Sequence, residues 1–484
     1  MTYLIEDCLR IIVTKLQNDS SSLYSCILVN RFWCRMTIPI LWKNPLAFKN
    51  ISHDKFYTTI INMLPTSSIK FLVENNIVLP SPIISRRPLF NYLSFLSQIL
   101  PGFIDGIINL LIKDEISDLM NFQNIQNSYK LILLEQEIYK LFINNCKNII
   151  SFHWQTVLPL FQFPGSFTYF SKLYSLIIDF QCINSLTLNN MAQTCQNIGD
   201  LKLLYCNGNN PGLIMLVDAQ KNLKSLLIYF KGGQKQCTQL SEVIERKAGK
   251  LTKLIIKPSI APISPKFLLS LKYLKHLELN NDHGYEYYNE GKEMQEWRKY
   301  LSIVSFPELQ YLKISYLPNY DDYKLIEKSH QGLLEINICR RYEYQDSVYT
   351  SKLIKAIAKY CPKIKKLAID VELENLDEIR EMLLNCPQLK TIDLSAINEK
   401  QIICDKLLEI IIDFSPKSLY KFSFNGYWIF SVESLQTFFE NWRNKFPIKF
   451  YISFSDESWV TEEYGIILKK YLDEGIIKRT NFFC

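Results

Sequence analysis

The sequence predicts an α/β chain. We expect a small all-α segment first, then a helical connector, then a solenoid with a parallel β-sheet on its concave face and helices outside. Three observations predict this: an apolar frame recurs from about residue 146, segments with helical spacing separate the frames, and the first 45 residues show helical spacing without the frame. Hydrophobic residues make up 48% of the chain, which excludes a disordered protein. The length of 484 residues exceeds what one compact core usually holds, which favours several domains or a stacked repeat.

The recurring frame consists of an apolar residue, two others, Leu or a similar residue, one other, and Leu or Ile. It runs from Ile149, Phe152 and Trp154 through about eleven units to Leu419, Phe422 and Phe424, with a mean spacing of about 27 residues. That period is typical of leucine-rich repeats. The last two apolar positions lie two residues apart and therefore share one face of a short strand. One strand and one helix cannot bury their own apolar side, so neighbouring units must stack.

The frame also sets the predicted boundaries. We expect leucine-rich repeats over residues 146–460, ending in a strand at Phe450, Ile452 and Phe454. A helical cap is predicted over residues 461–484, and a helical connector over residues 46–145. The spacings that predict these helices are Ile466, Ile467, Tyr471 and Leu472 in the cap, and Phe56, Ile60, Ile61, Leu64, Ile104, Ile107, Ile108, Leu111, Leu134, Ile138, Leu141 and Phe142 in the connector.

Four cysteines belong to the repeat. Cys146, Cys195, Cys361 and Cys386 each stand three residues before the first apolar position of a frame. A repeated offset indicates a small buried residue at the corner between helix and strand, rather than metal or redox chemistry. We expect no metal and no cofactor.

No pattern of a catalytic site is found. The five histidines form no His-Glu-x-x-His pair, and the chain has no P-loop, no dinucleotide-binding glycine motif and no nucleophile elbow. We therefore expect no catalytic residues and a protein that is not an enzyme. The net charge of +7 is small for this length, and no run of about 18 apolar residues occurs, so neither nucleic acid nor membrane is an expected partner. A cytoplasmic or nuclear location is expected.

The remaining candidate is a surface. Within each strand, the residues between the inward apolar ones point to the concave face. This row mixes both signs of charge, which favours a protein or peptide partner over a phosphate backbone. The predicted substrate-binding residues are His153, Lys202, Lys253, His276, Glu278, Tyr311, Lys313, Glu335, Asn337, Lys366, Asp393 and Lys421. Two insertions, over residues 280–300 and 340–344, are further candidates for binding loops, with a solvated loop as the alternative for each.

The first 45 residues carry a different motif. Leu4, Leu9, Ile12 and Leu16 are followed by Val29-Asn30-Arg31-Phe32-Trp33 and then by Leu41-Trp42. In order and spacing this segment resembles an F-box, although Ile5 stands where that family usually has Pro. An F-box followed by leucine-rich repeats is a known architecture, and the chain resembles the large F-box/repeat families of some fungi.

The resemblance implies a function. It implies a substrate receptor of a cullin–RING ubiquitin ligase, in which the F-box binds a Skp-type adaptor and the repeats hold a protein substrate for ubiquitin-dependent degradation. The adaptor-binding residues it implies are Leu4, Ile5, Leu9, Ile12, Leu16, Leu28, Val29, Arg31, Trp33, Leu41 and Trp42.

The alternative is a non-catalytic leucine-rich-repeat scaffold without a ligase role, in which the first segment only packs internally. The exposure of four residues separates the two hypotheses. A receptor should leave Leu4, Ile5, Leu28 and Leu41 partly exposed for the adaptor, whereas a scaffold should bury them against the connector.

Overall fold

The computed structural model describes residues 6–45, 52–77, 88–111, 125–207, 210–232, 236–282, 292–317, 323–340, 347–396, 402–443, 445–454 and 462–482. The chain divides into two compact units. Residues 1–205 and 210–223 form unit 1, and residues 206–209 and 224–484 form unit 2. The division into an F-box, a connector, repeats and a cap stays a prediction.

Unit 1 begins with helices and continues as alternating strands and helices. Its helices are α1 Glu6–Lys15, α2 Ser20–Val29, α3 Arg31–Leu41, α4 His53–Ile61, α5 Thr66–Glu74, α6 Pro101–Leu111, α7 Ile125–Asn145, α8 Ser166–Phe170, α9 Ser185–Thr194 and α10 Pro211–Ala219. Its strands are β1 Gln98–Ile99, β2 Ser151–Trp154, β3 Ser175–Asp179 and β4 Asp200–Cys206.

The helices before β2 share an aromatic interior. The Phe103 ring on α6 lies 4.9 Å from Phe56 on α4 and 5.9 Å from Phe142 on α7. All apolar residues predicted for the three connector faces are buried, except Ile108, which is half-buried. The 3.6-residue period therefore placed these helices and their inward sides correctly.

The strands of unit 1 pair in parallel in chain order. Phe152 on β2 lies opposite Leu176 on β3, which lies opposite Leu201 on β4. All three are buried, because they face the helices that follow each strand. Strand β1, which the sequence did not predict, adds to the β2 edge with Gln98 opposite Ser151.

Unit 2 repeats the same strand-and-helix plan. Its helices are α11 Thr238–Lys247, α12 Lys292–Ile303, α13 Tyr323–Glu327, α14 Ser347–Tyr360, α15 Leu376–Asn385, α16 Asp405–Phe414, α17 Val432–Trp442 and α18 Glu462–Asp473. Its strands are β5 Ser225–Phe230, β6 Lys253–Lys257, β7 His276–Asn280, β8 Tyr311–Ser315, β9 Glu335–Cys339, β10 Lys366–Val371, β11 Thr391–Ala396, β12 Ile402–Ile403, β13 Lys421–Gly426, β14 Trp428–Ile429, β15 Ile448–Phe454 and β16 Ile477–Arg479.

The main sheet of unit 2 is parallel. Strands β5 to β11 are neighbours in order, followed by β13, β15 and β16, and β12 pairs separately with β14. The second and third apolar positions of all eleven predicted frames, counted over both units, lie in strands and are buried. The predicted α/β class, with parallel strands and intervening helices, is confirmed.

The last helix corrects one prediction. On α18 the buried side is formed by Tyr464, Leu468 and Tyr471, whereas Ile466 is exposed. The observed buried side is therefore rotated about the helix axis relative to the predicted one, and Tyr471 belongs to both. Tyr464 also hydrogen-bonds to the backbone of Phe430, which fixes that buried side against the preceding chain.

Candidate interaction surfaces

Helices α1, α2 and α3 form a small bundle with well-defined ends. The Asp19 side chain accepts a hydrogen bond from the Ser22 N–H at 3.2 Å, which caps the start of α2. Asn30 has an extended backbone, ends α2, and accepts from the Trp33 N–H at 3.0 Å to cap α3. The Val29–Trp33 element of the sequence is therefore the tight junction between two helices, with Asn30 as its capping residue.

The interior of the bundle consists of Leu9, Val13, Leu23 and Leu41. Leu16 and Trp33 are half-buried against this cluster. Two predicted adaptor-binding residues therefore need correction. Leu9 and Leu41 are 0% and 4% exposed, so they hold the helices together and offer no side chain to a partner.

The outside of the bundle exposes large apolar side chains. Leu28 is 84% exposed at the end of α2. We call the exposed residues without a polar side-chain group the bundle surface, and it comprises Ile11, Ile12, Leu28, Val29 and Phe32; Tyr24 is also exposed. Ile11 and Phe32 were not among the predicted site residues. A helical-wheel argument could have found Ile11, because it lies off the face set by Leu9 and Val13.

The late Leu41-Trp42 element packs against other residues of unit 1. The Trp42 ring lies 4.9 Å from Phe56 and 4.3 Å from Tyr92, both beyond the bundle in the same unit. Trp42 is half-buried by this packing, and its adaptor contact stays a prediction. Arg31 is exposed at the start of α3, while Leu4 and Ile5 lie outside the described residues.

The open face of the unit 2 sheet carries most of the predicted substrate-binding residues in two rows. Strand register places the first row, the outer ladder, in the order Lys253, His276, Tyr311, Glu335, Lys366, Thr391, Lys421 and Lys449. The second row, the inner ladder, lies two residues further along each strand and includes Glu278, Lys313, Asn337, Asp393 and Ser423. Many of the residues predicted from the sequence therefore lie side by side on the sheet.

An aromatic pair lies near one end of the outer ladder. The His276 and Tyr311 rings are stacked, with centroids 3.9 Å apart and planes 5° from parallel. Burial, with the charge of Lys253 on the adjacent strand, lowers the pKa of His276 to about 4. The imidazole is therefore neutral at pH 7. Its buried Nε2 atom has no hydrogen-bond partner among the described residues.

Opposite charges meet on neighbouring strands. Lys313 Nζ lies 3.2 Å from Glu278 Oε1, and Lys366 Nζ lies 2.7 Å from Glu335 Oε1. The Asp393 carboxylate accepts a hydrogen bond from Asn425 at 2.6 Å. These contacts order the long side chains, although partly exposed ion pairs add little stability.

The far end of β10 carries a half-buried acid. Asp370 on β10 accepts a hydrogen bond from the Arg340 backbone N–H at 2.6 Å. Burial raises the pKa of Asp370 to about 6, against the lowering effect of Arg340. The Arg340 guanidinium lies over the Tyr349 ring at 3.2 Å from its centroid. The rest of the candidate loop at 340–344, and the tyrosine-rich part of 280–300, lie outside the described residues.

Two predicted substrate-binding residues belong to unit 1. His153 lies opposite Ile177, which lies opposite Lys202. Burial lowers the pKa of His153, and Lys202 adds to this effect. Lys202 Nζ lies 3.9 Å from Asp200 on its own strand.

The four repeat cysteines are buried. Burial raises the pKa of the Cys195 and Cys386 thiols to about 12, so neither is a thiolate near neutral pH. Within the described parts of the chain, no three His, Cys, Asp or Glu side chains are placed to hold a metal ion. A search of the same residues finds no helix with the length and hydropathy needed to span a membrane.

Comparison with known proteins gives fold-level likenesses only. No family model matches the sequence, and no curated protein matches it significantly. Among solved structures, the chain is similar to a Bacteroides fragilis protein at 17% identity and TM-score 0.31, over 47% of this chain and 65% of that one. It is similar to the leucine-rich repeat-containing protein LegL7 from Legionella pneumophila at 13% identity and TM-score 0.31, over 69% and 93% of the two chains. It is also similar to a chain of the yeast Rad7 and Elc1 complex at 12% identity and TM-score 0.32, over 84% and 97%. TM-scores this low carry no argument about function.

Proposed function

We propose that the chain is a non-catalytic substrate receptor, in which the N-terminal bundle binds a Skp-type adaptor of a cullin–RING ubiquitin ligase and the repeats bind a protein substrate. The observation that carries this proposal is the bundle surface. Five large apolar side chains within residues 11–32 are exposed, while the interior of the same bundle is complete without them. Single exposed apolar residues are ordinary, but a group of them marks an interaction site.

The position of that surface agrees with the sequence motif. Ile12, Leu28 and Val29 are adaptor-binding residues implied by the F-box resemblance, and all three are exposed. Leu28 and Val29 end α2, and Phe32 lies in the first turn of α3. The Asn30 cap fixes the junction, so these side chains are held in place before a partner arrives. Preorganisation of this kind lowers the entropic cost of binding.

One observation favours the alternative, an interaction scaffold without a ligase role. Leu41 is buried and Trp42 packs on Phe56 and Tyr92, so the late element of the motif joins the bundle to the following helices. The scaffold hypothesis predicts this packing. It does not predict the exposure of Leu28.

The experiment is a binding measurement between the purified full chain and a purified Skp-type adaptor by biolayer interferometry. The test variant combines Leu28→Gln with Phe32→Gln. The matched control combines Leu186→Gln with Met215→Gln, because those side chains are also exposed and lie on helices of the same unit. A loss of at least about tenfold in affinity is expected for the test variant only, since buried apolar anchors dominate interface energies.

An Ile5→Pro variant, which introduces the residue usual in the F-box family, should bind at least as tightly as the parent chain. If neither the parent nor this variant binds the adaptor, the receptor proposal is wrong and the scaffold hypothesis replaces it.

A further inference from the structure

One edge of the unit 2 sheet is basic. Lysines lie at or next to the amino ends of β10, β11, β13 and β15, which are successive neighbours in the sheet, and Arg479, the last residue of β16, lies opposite Lys449. We call this set the basic edge, and it comprises Lys365, Lys366, Lys390, Lys421, Lys449 and Arg479.

Backbone pairing places the cations of the basic edge in two adjacent rows, with Lys365 and Lys390 one position before Lys366, Lys421, Lys449 and Arg479. The Lys390 N–H donates to the Lys365 carbonyl at 2.8 Å, one residue before β10 and β11. Strand register then places Lys421 opposite Lys449, and Lys449 opposite Arg479. Neighbouring strands are about 4.8 Å apart, so the five strands span about 19 Å.

Few acids neutralise this edge. Among the described residues, Glu335 pairs with Lys366 at 2.7 Å, whereas Lys365, Lys390, Lys421 and Lys449 have no carboxylate within ion-pair distance. Of the acids on the same strands, Asp370 is about 13 Å along β10 from Lys366, whereas Asp393 lies two residues beyond Thr391 on β11, where the charge of Lys421 offsets part of the rise in its pKa. The cations therefore outnumber the acids at this edge, although the sequence showed mixed signs.

The geometry points to a protein ligand. We propose that the basic edge binds an acidic segment of a protein partner in an extended conformation, crossing β10 to β16. About six extended residues span 19 Å. The proposal rests on the proposed function in one respect, because it names acidic segments as the class of substrate that the repeats would hold.

Single-stranded nucleic acid fits this edge less well. Its bases would stack on free aromatic faces. The two nearby rings already lie beneath lysines, with Lys421 Nζ 5.1 Å from the Tyr451 centroid and Lys449 Nζ 5.9 Å from the Tyr420 centroid. Five of the six cations are lysines, which act as point charges and lack the bidentate fork by which Arg grips phosphate.

The test is fluorescence anisotropy with the full chain and a labelled peptide of six glutamates flanked by Gly-Ser. The variant Lys390→Glu with Lys421→Glu is compared with Lys352→Glu and Lys469→Glu, which make the same change of charge at exposed helix positions. We expect the first pair to weaken binding by at least about tenfold and the second by no more than about twofold. The milder pair Lys390→Gln with Lys421→Gln should give an intermediate loss and excludes misfolding as the cause.

Three results would overturn the proposal: no binding of the glutamate peptide, equal weakening by both pairs of substitutions, or tighter binding of hexathymidylate than of the peptide. Adaptor binding is measured on the same samples. A chain that binds the adaptor but not the peptide refutes the basic-edge proposal alone. A chain that binds the peptide but not the adaptor refutes the adaptor proposal alone.

Discussion

The bundle and the repeat sheet expose opposite kinds of side chain. In the sheet, the inward apolar positions of every predicted frame are buried, and the open face presents charges, rings and amides. In the bundle, four residues fill the interior and five large apolar side chains stay outside. The exposed apolar side chains of the bundle therefore mark an interaction site.

The difference follows from the two geometries. Every strand of the main sheet except β1 and β16 has a neighbour on both sides, and the period of two assigns the strand residues to the interior or the open face. Three short helices enclose a narrow core and leave wide outer surfaces. Apolar residues on those surfaces are therefore not explained by folding, whereas apolar residues on the sheet's inner face are.

The largest expected effect separates two leucines on one helix. Leu23 is 0% exposed and Leu28 is 84% exposed on α2. Leu23→Ala should cost about 2–5 kcal/mol of local stability, because it opens a cavity in the bundle interior. Leu28→Ala should change stability by less than about 0.5 kcal/mol. Hydrogen exchange of residues 20–29 measures both, and equal effects would contradict the comparison.

A smaller effect concerns Asp370, the half-buried acid of the sheet. Burial raises the pKa of Asp370 from its ordinary 3.8 to about 6, so ionisation opposes folding. The free energy of unfolding should therefore fall as the pH rises from about 4 to about 6. Nearby Asp393 acts in the same direction, since burial raises its pKa as well.

Asp370→Asn removes one of these groups and can still accept the hydrogen bond from Arg340. Relative to the parent, the variant should gain about 1–3 kcal/mol of stability between pH 4 and pH 7. Urea unfolding of both chains at the two pH values gives the difference. A constant difference across that range would show that Asp370 ionises normally in the folded chain.

The smallest effect is expected on the open face. Lys366 and Leu367 are adjacent on β10, but Leu367 is buried and Lys366 forms a partly exposed ion pair with Glu335. Lys366→Gln should cost less than about 1 kcal/mol, and the loss should shrink in high salt. Leu367→Ala should cost about 2–5 kcal/mol. A Lys366 effect as large as that of Leu367 would mean that the open face supports the fold.

The regular parts of this structure could be predicted from sequence because their period is simple. The frames from Ile149 to Phe424 specify both the strand and its buried side, and the register of the open face follows from them. Short irregular pairings could not be predicted: β1 contains two residues, and Gln98–Ile99 has no pattern of its own. The excess of cations at one edge of the sheet also escaped prediction, because it depends on which end of a strand each residue occupies.

In the bundle, the helices could be predicted from the sequence, but the buried and exposed residues could not. Helical spacing identified its helices, but Leu9 and Leu41 became core while Ile11 and Phe32 became surface. A sequence motif identifies characteristic positions, but it does not determine whether their side chains face the core or the solvent. Only the packing of three helices around Leu23 decides that.

The most direct test of the account is hydrogen exchange of the full chain with and without a purified Skp-type adaptor. We expect protection on addition of the adaptor at residues 11–12 and 28–32, with no change at the basic edge of the sheet. Protection confined to the repeats, or none anywhere, would contradict the claim that the exposed bundle surface is the adaptor site.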